Sequence, residues 1–318
     1  MNNQELLLKE IRKRLSPTTS LNDEIATVLQ ISYDAAHRRV SGKSKFSIDE
    51  TLILANHYRF SLDQLFFKKE NIIIQKTIEI ATIVDMLIYF KNSALQIERL
   101  TKSKNTILYY SAKDIPLFYF LDGTLISKFK AYVWLSLLNP DQPKTDFEHF
   151  VINQSFSEHT QKLKKAYNNC TIKEVWNDTT INSSLQQILY FYDAGLLNFE
   201  NALTLYDDLT RIVTHVKNKT KSNTFSIYYN ELILLNNNLL FETDSKLTMF
   251  IPYTLLGYFS TDNQESCQNV HQFFLQQIKN SKPLNQSGIK EQNQFFNRSL
   301  RKIEYYKNQL NNQVDILF

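Results

Sequence analysis

Five glycines in 318 residues, each far from the next, set the first limit on what this chain can build. Gly42, Gly123, Gly195, Gly257 and Gly288 cannot pair into a G-x-G-x-x-G, a G-x-x-x-x-G-K-[ST] or a G-x-S-x-G. Dinucleotide-binding turns, phosphate loops and nucleophile elbows need such pairs, because backbone must approach a phosphate or turn where a Cβ would collide. Those enzyme classes are excluded. The same scarcity, with six prolines, leaves few corners for a turn-dense all-β fold. A mainly helical chain is expected.

The length is that of about two domains, and 43% hydrophobic with 21% charged residues is ordinary soluble composition. Cys170 and Cys267 form no C-x-x-C pair and point to a reducing compartment. The opening MNNQELLLKEIRKRL has acids among its apolar residues and no cleavage site, so it does not read as a signal peptide. The most apolar stretch, Ile72 to Phe90, is interrupted by Gln75, Lys76, Glu79 and Asp85, the pattern of an amphipathic helix and not of a membrane span. A cytoplasmic protein without a membrane partner is expected.

Charge is unevenly placed. Residues 1–69 hold 11 Lys/Arg and 8 Asp/Glu, a surplus of three out of the whole-chain +4. Within them His37-Arg38-Arg39-Val40-Ser41-Gly42-Lys43-Ser44-Lys45 carries four cations and no acid. A basic run of this kind is most simply a solvated face. Its setting among helices changes that reading.

Leu6, Leu7, Ile11 and Leu15 mark a first helix, broken at Ser16-Pro17. A second starts near Asn22, with Ile25, Ala26 and Leu29 on one face and Asp23 and Glu24 in its first turn, where the helix dipole favours acids. After the short turn Gln30-Ile31, Ser32 is a natural N-cap for a third helix, Tyr33 to Val40. Ala36 and Val40 share its inner face, Tyr33, Asp34, His37, Arg38 and Ser41 point away, and Gly42 ends it. Ser47-Ile48-Asp49-Glu50 is a capping box opening a fourth helix through Leu52, Leu54, Ala55 and Tyr58. A short fifth begins at Ser61.

A two-turn helix, a tight turn and a polar-faced helix in second and third place is helix-turn-helix organisation. The run LNDEIATVLQISYDAAHRRVSGKSKFSIDETLILANHYRFSLDQLF resembles the DNA-binding domain of the Cro/lambda-repressor-like (XRE-type) regulators. Ala26 matches the family's small residue in helix two, Ile31 its apolar residue before the recognition helix, Ser32 its cap and Gly42 its post-helix glycine. Leu54-Ala55 and Ser61-Leu62-Asp63-Gln64-Leu65 match its closing signature. The chain departs from the family at Gln30, where a turn glycine is usual; a left-handed Gln30 would cost about 1 kcal/mol. The resemblance implies a five-helix domain that lays its third helix in the major groove of double-stranded DNA. On such a helix Tyr33, Asp34, His37 and Arg38 are placed to reach base edges, Arg38 suiting guanine. Ser32, Arg39, Lys43, Lys45 and Ser47 are placed to hold phosphates.

Beyond this domain, Ile72 to about Lys102 reads as a long helix with Ile80, Ile83, Val84, Leu87, Phe90, Ala94 and Ile97 on its apolar side. Thr106 to Tyr110 is a strand candidate, and helical patterns follow at about 116–138, 156–167, 180–194 and 199–217. The runs Ile227–Leu235, Leu239–Thr243 and Leu247–Ile251 read as a small antiparallel β meander. Two helices, about 263–280 and 288–311, finish the chain. The expected class is mainly α: the helix-turn-helix domain at 1–67, a connecting helix at 68–105, and a mostly helical α+β domain at 106–318. The arrangement, and phrases such as AKDIPLFYF, FKAYVWL, TINSSLQQILYFYDAGL and YYNELILLNNN, also resemble the large-C-terminal-domain helix-turn-helix regulators common in Bacteroidetes.

The long domain offers little chemistry. His149, His159, His215 and His271 form no i, i+4 pair or H-E-x-x-H, Asp207-Asp208 diverge on a helix, and neither cysteine has a sequence-local base. Glu148, Glu158 and Glu174 meet only if the fold brings them together. The aromatic clusters Tyr109-Tyr110, Phe118-Tyr119-Phe120, Tyr190-Phe191-Tyr192 and Tyr228-Tyr229 are first of all core, with an apolar ligand pocket as the alternative. The expectation is therefore a non-enzymatic transcriptional regulator without cofactor or metal. It would be a homodimer of repressor type, with a C-terminal region that pairs the protomers and senses a small molecule or protein. The alternatives are a repressor with no effector, and an enzyme or interaction scaffold whose helix-turn-helix domain serves autoregulation.

Overall fold

The computed structural model describes residues 2–66, 72–103, 105–139, 145–152, 154–232 and 236–317. The chain divides into two compact units, 1–73 and 74–318.

The first unit holds five helices: α1 (Asn3–Arg12), α2 (Leu21–Leu29), α3 (Tyr33–Val40), α4 (Ile48–Tyr58) and α5 (Leu62–Phe66). Capping chemistry sets most of their starts. Ser20 caps α2, one residue earlier than its first acids imply, Ser32 caps α3, and Ser47 with Glu50 closes the capping box of α4. Leu7, Ile11, Leu21, Ile25, Ala36 and Leu54 form the buried centre. Leu52 does not join them. It is 46% exposed, with Ile48 and Ile53 also facing solvent, because α4 turns Leu54 and Ala55 inward.

The second unit is α+β, with an eight-stranded sheet among the described residues. In chain order its elements are β1 (Gln75–Lys76), α6 (Ile83–Leu100), β2 (Ile107–Ala112), α7 (Leu125–Leu138) and α8 (Gln154–Asn168). Then come β3 (Thr171–Trp176), α9 (Asn182–Asp193), α10 (Phe199–Lys219), β4 (Phe225–Tyr229), β5 (Leu239–Glu242) and β6 (Leu247–Pro252). The last are β7 (Tyr258–Thr261), α11 (Gln264–Lys279), β8 (Lys282–Pro283) and α12 (Ile289–Leu317). Strand order is β1-β7-β6-β5-β2-β3-β4-β8. The central β2, β3 and β4 run parallel, joined by helical crossovers, and every other pair is antiparallel.

Alternation along the strands divides two cores. Leu108, Tyr110, Ile172, Trp176, Phe225 and Ile227 face a large aromatic core shared with α6, α7, α8, α9, α10 and α12. Tyr109, Leu240, Leu247 and Met249 face Cys267 and Phe274 of α11 on the other side. Helices on both faces keep the parallel centre out of water.

Several expectations are corrected here. The meander does not contain 227–235: Phe225–Tyr229 pairs with β3 and β8, residues 233–235 lie outside the described residues, and the consecutive antiparallel strands are β5, β6 and β7. β3, Thr171–Trp176, carries Lys173 and Glu174 between its apolar residues, and no local pattern shows that Glu174 is buried. The stretch 68–105 is not one connecting helix. Its residues 75–76 pair with β7, and α6 starts only after the Thr82 capping box. Met86, Tyr89, Phe90 and Ala94 of α6 belong to the large core, whereas Val84 is 57% exposed. The pattern over 116–138 splits into a 3-10 turn at Leu117–Phe120 and α7, separated by Gly123 at φ +72°. Among the described residues no helix is long and apolar enough to cross a membrane.

Candidate nucleic-acid interface

The turn between α2 and α3 is where the sequence departs from its resemblance. Gln30 is left-handed, at φ 55° and ψ 43°. Its N–H bonds Thr27 O at 3.3 Å and that of Ile31 bonds Ala26 O at 3.0 Å, a Schellman closure made without glycine. Arg59 ends α4 the same way, at φ 55°. Ser32 then leaves the turn extended, and its Oγ accepts from Ala35 N at 3.3 Å to start α3.

With Ala36 fully buried, a 3.6-residue period turns the other side of α3 outward. Tyr33, Asp34, His37 and Arg38 are all exposed there. The Tyr33 and His37 rings lie parallel, 4° apart in plane with centroids at 6.4 Å. Asn22 of α2 holds both, with Nδ2 at 3.3 Å from Tyr33 Oη and 3.4 Å from His37 Nδ1. Sequence reasoning missed Asn22, which reads only as a residue of a helix start; its partners come from a different helix. Arg38 and Asp34, although four residues apart, form no ion pair, and Arg38 has no acid partner among the described residues.

The four base-facing candidates therefore share one surface. The five phosphate candidates do not behave alike. Lys43 and Lys45 are exposed on the loop after α3. That loop is anchored by Gln4 of α1, whose Nε2 donates to Arg39 O at 2.6 Å and Ser44 O at 2.9 Å while its Oε1 accepts from Phe46 N at 3.3 Å. Gln4 is a second residue that the sequence pattern did not single out. Gly42, at φ +78°, makes the turn possible. Ser32 and Ser47 are exposed N-caps whose hydroxyl oxygens accept from backbone. Asp49, beside Ser47, is exposed and carries the wrong sign for a phosphate.

Arg39 is a correction. Its guanidinium grips Glu50 as a fork, Nε to Oε2 at 3.0 Å and Nη2 to Oε1 at 2.6 Å, and Nη1 donates to Ala35 O at 3.1 Å. That hydrogen bonding holds the Glu50 carboxyl below its ordinary value. Arg39 ties α3 to the capping box of α4, which commits all three of its nitrogens to the fold. Arg38 beside it is exposed, but a step of one residue turns a helical side chain by about 100°.

The second unit separates the acids that the sequence left open. Asp207 pairs with Lys307, while the buried Asp208 accepts Ile126 N at 3.0 Å and caps α7. Glu148 is bonded to Asn198 and Asn201, far from Glu174 in its contacts. Glu174 is fully buried on β3, where Tyr119, Tyr167 and Trp176 donate to it, and burial pushes its carboxyl up. Among the described residues no three His, Cys, Asp or Glu are grouped to hold a metal.

No protein-family model matches the chain, and no curated protein matches it in sequence. Among solved structures, that of TrmBL2, an archaeal chromatin protein described as showing a novel mode of DNA binding, aligns over 86% of this chain and 80% of its own. The identity is 9% and the TM-score 0.26, a level at which the likeness says nothing about shared fold or function.

Proposed function

We propose that this protein is a sequence-specific DNA-binding transcriptional regulator of the Cro/lambda-repressor-like kind, with α3 as its recognition helix in the major groove. One observation carries the reading. The outer face of α3 presents Tyr33, Asp34, His37 and an Arg38 without an acid partner among the described residues, and the exposed Lys43 and Lys45 follow directly on an anchored loop. Arg38 reads a guanine edge with its paired donors. Asn22 holds the Tyr33 and His37 rings before DNA arrives, so less side-chain entropy is lost on binding. Lys43 and Lys45 neutralise phosphates and set register, with Ser32 and Ser47 as hydroxyl donors. The protein acts as a homodimer of repressor type on two half-sites a helical turn apart, paired through the second unit, which also senses an effector and performs no chemical step. It works in the cytoplasm, where its operator lies.

Random-sequence selection with the full chain tests this. A palindromic site should be enriched. Arg38→Ala should relax preference at one base position per half-site, by about 1–3 kcal/mol of discrimination. Lys43→Ala with Lys45→Ala should weaken all sequences alike and reduce the salt slope by about two. Failure to enrich any site, or an unaltered Arg38→Ala profile, overturns the reading.

A further inference from the structure

We propose that the cleft between α6 and the β1–β7 edge of the sheet binds a small carboxylic acid with a short apolar tail. As a binding site it stands by itself; as the effector site of the regulator it rests on the function proposed above.

The cleft encloses about 290 Å³, with Lys76, Asn92, Ser93, Gln96 and Arg99 around its mouth. It continues inward to an apolar recess of about 40 Å³ walled by Ile97, Phe118, Leu163, Leu239 and Phe250. Thr77, Tyr89, Ser93 and Gln96 border both, so the two adjoin, with the polar side outermost and the apolar side within. Together they sit near the lower limit of ligand sites, roughly 300 Å³, which suits a molecule of amino-acid size and rules out a nucleotide-sized cofactor.

Charge selects the head group. Two cations and no acid line the mouth. Lys76 is drawn to Glu79, but the exposed Arg99 has no acid partner among the described residues. A guanidinium fork pairs best with a planar two-oxygen anion, and the amides of Asn92 and Gln96 and the hydroxyl of Ser93 stand beside it as further donors. Gln96 already reaches Ser260 Oγ at 3.3 Å, which fixes its amide at the border of the recess. The recess selects the tail. It offers roughly three times the space that one water needs, enough for a branched chain of a few carbons, and its walls leave a water there few partners. Tyr110 and Tyr258, whose hydroxyls border the recess, hydrogen-bond each other. An acid seated this way gains apolar burial at one end and a charge-assisted pair at the other.

Calorimetric titration of the full chain with isovalerate, butyrate and phenylacetate tests the site, with isopentylamine as the control of matched tail and opposite charge. Isovalerate should saturate at one per chain and the amine should give no heat. Arg99→Gln, at an exposed position, should weaken isovalerate at least tenfold, and Ser93→Phe, which fills the border, should abolish binding. No saturable binding by any of the three acids, or undiminished isovalerate binding to Arg99→Gln, overturns the proposal. DNA retention is measured separately on the same protein. Acid binding without DNA retention keeps the site and removes its regulatory role, and DNA retention without acid binding overturns the site alone.

Discussion

Two groups of cations, one in each unit, sit in opposite surroundings. In the first, Arg38, Lys43 and Lys45 stand in water. In the second, Lys130 is 5% exposed, its Nζ 4.6 Å from the Phe120 ring centroid and 2.7 Å from Gln187 Oε1, and burial pushes its pKa down to about 8. Lys219 Nζ lies 4.4 Å from the Phe225 ring centroid and 4.7 Å from that of Tyr167, and its charge works against the burial that raises the Glu174 carboxyl. A hydrated cation keeps its full charge for a partner that has yet to arrive. A buried one has already lost its water, and its interactions go into the fold. The contrast separates charges held in reserve for recognition from charges that specify structure. Arg39 belongs with the second kind despite standing beside Arg38.

The contrast can be broken at three places. Lys219→Met removes the cation that offsets the burial of Glu174, together with its contacts to Phe225 and Tyr167, and should cost about 2–3 kcal/mol. Amide hydrogen exchange should show the loss across β3 and β4 with α1 to α5 unchanged; a loss below about 1 kcal/mol would mean the buried charge is not structural. Arg39→Ala removes two hydrogen bonds to Glu50 and one to Ala35 O and should destabilise the first unit by about 1.5–3 kcal/mol, against at most about 0.5 kcal/mol for Arg38→Ala. Because Arg39 holds Glu50 below its ordinary 4.5, the Arg39 effect is complete above that pH and shrinks as pH falls through the folded value. Equal effects of the two substitutions would erase the distinction between them. The smallest change is Gln30→Gly, which relieves the left-handed residue and should stabilise the first unit by about 0.5–1 kcal/mol while leaving DNA retention intact. Destabilisation there would show that the Gln30 side chain contributes more than its backbone strain removes.

The first unit was the more legible one. Ser32, Ser47, Glu50 and Gly42 act within one turn of where they stand, so their signals are local and the sequence carries them whole. Leu52 was misplaced because an apolar residue at helical spacing says which faces are available, not which of two neighbouring stripes is covered. Asn22 and Gln4 were invisible for a related reason: each matters through partners on other helices. In the second unit, helices from α7 to α12 were legible in outline, as were the strands β2, β5 and β6, and the order of the sheet was not. β1 and β8 are two residues each and exist only by pairing, while β3 carries Lys173 and Glu174 within it and β4 finds its place only through parallel pairing with β3.

The sequence by itself determined that phosphate-gripping glycine loops are absent, that helices predominate, where the short N-terminal helices begin, and that α3 carries an outward polar and basic face. Those properties follow from residue type, capping and period, which need no distant partner. Only the tertiary structure decided that Arg39 is bound to Glu50, that Phe225–Tyr229 lies beside β3 and not β5, and that α6 leaves a cleft against the β1–β7 edge. Strand pairing, side-chain forks and cavities depend on which surfaces meet across long stretches of chain, and no local pattern encodes that meeting.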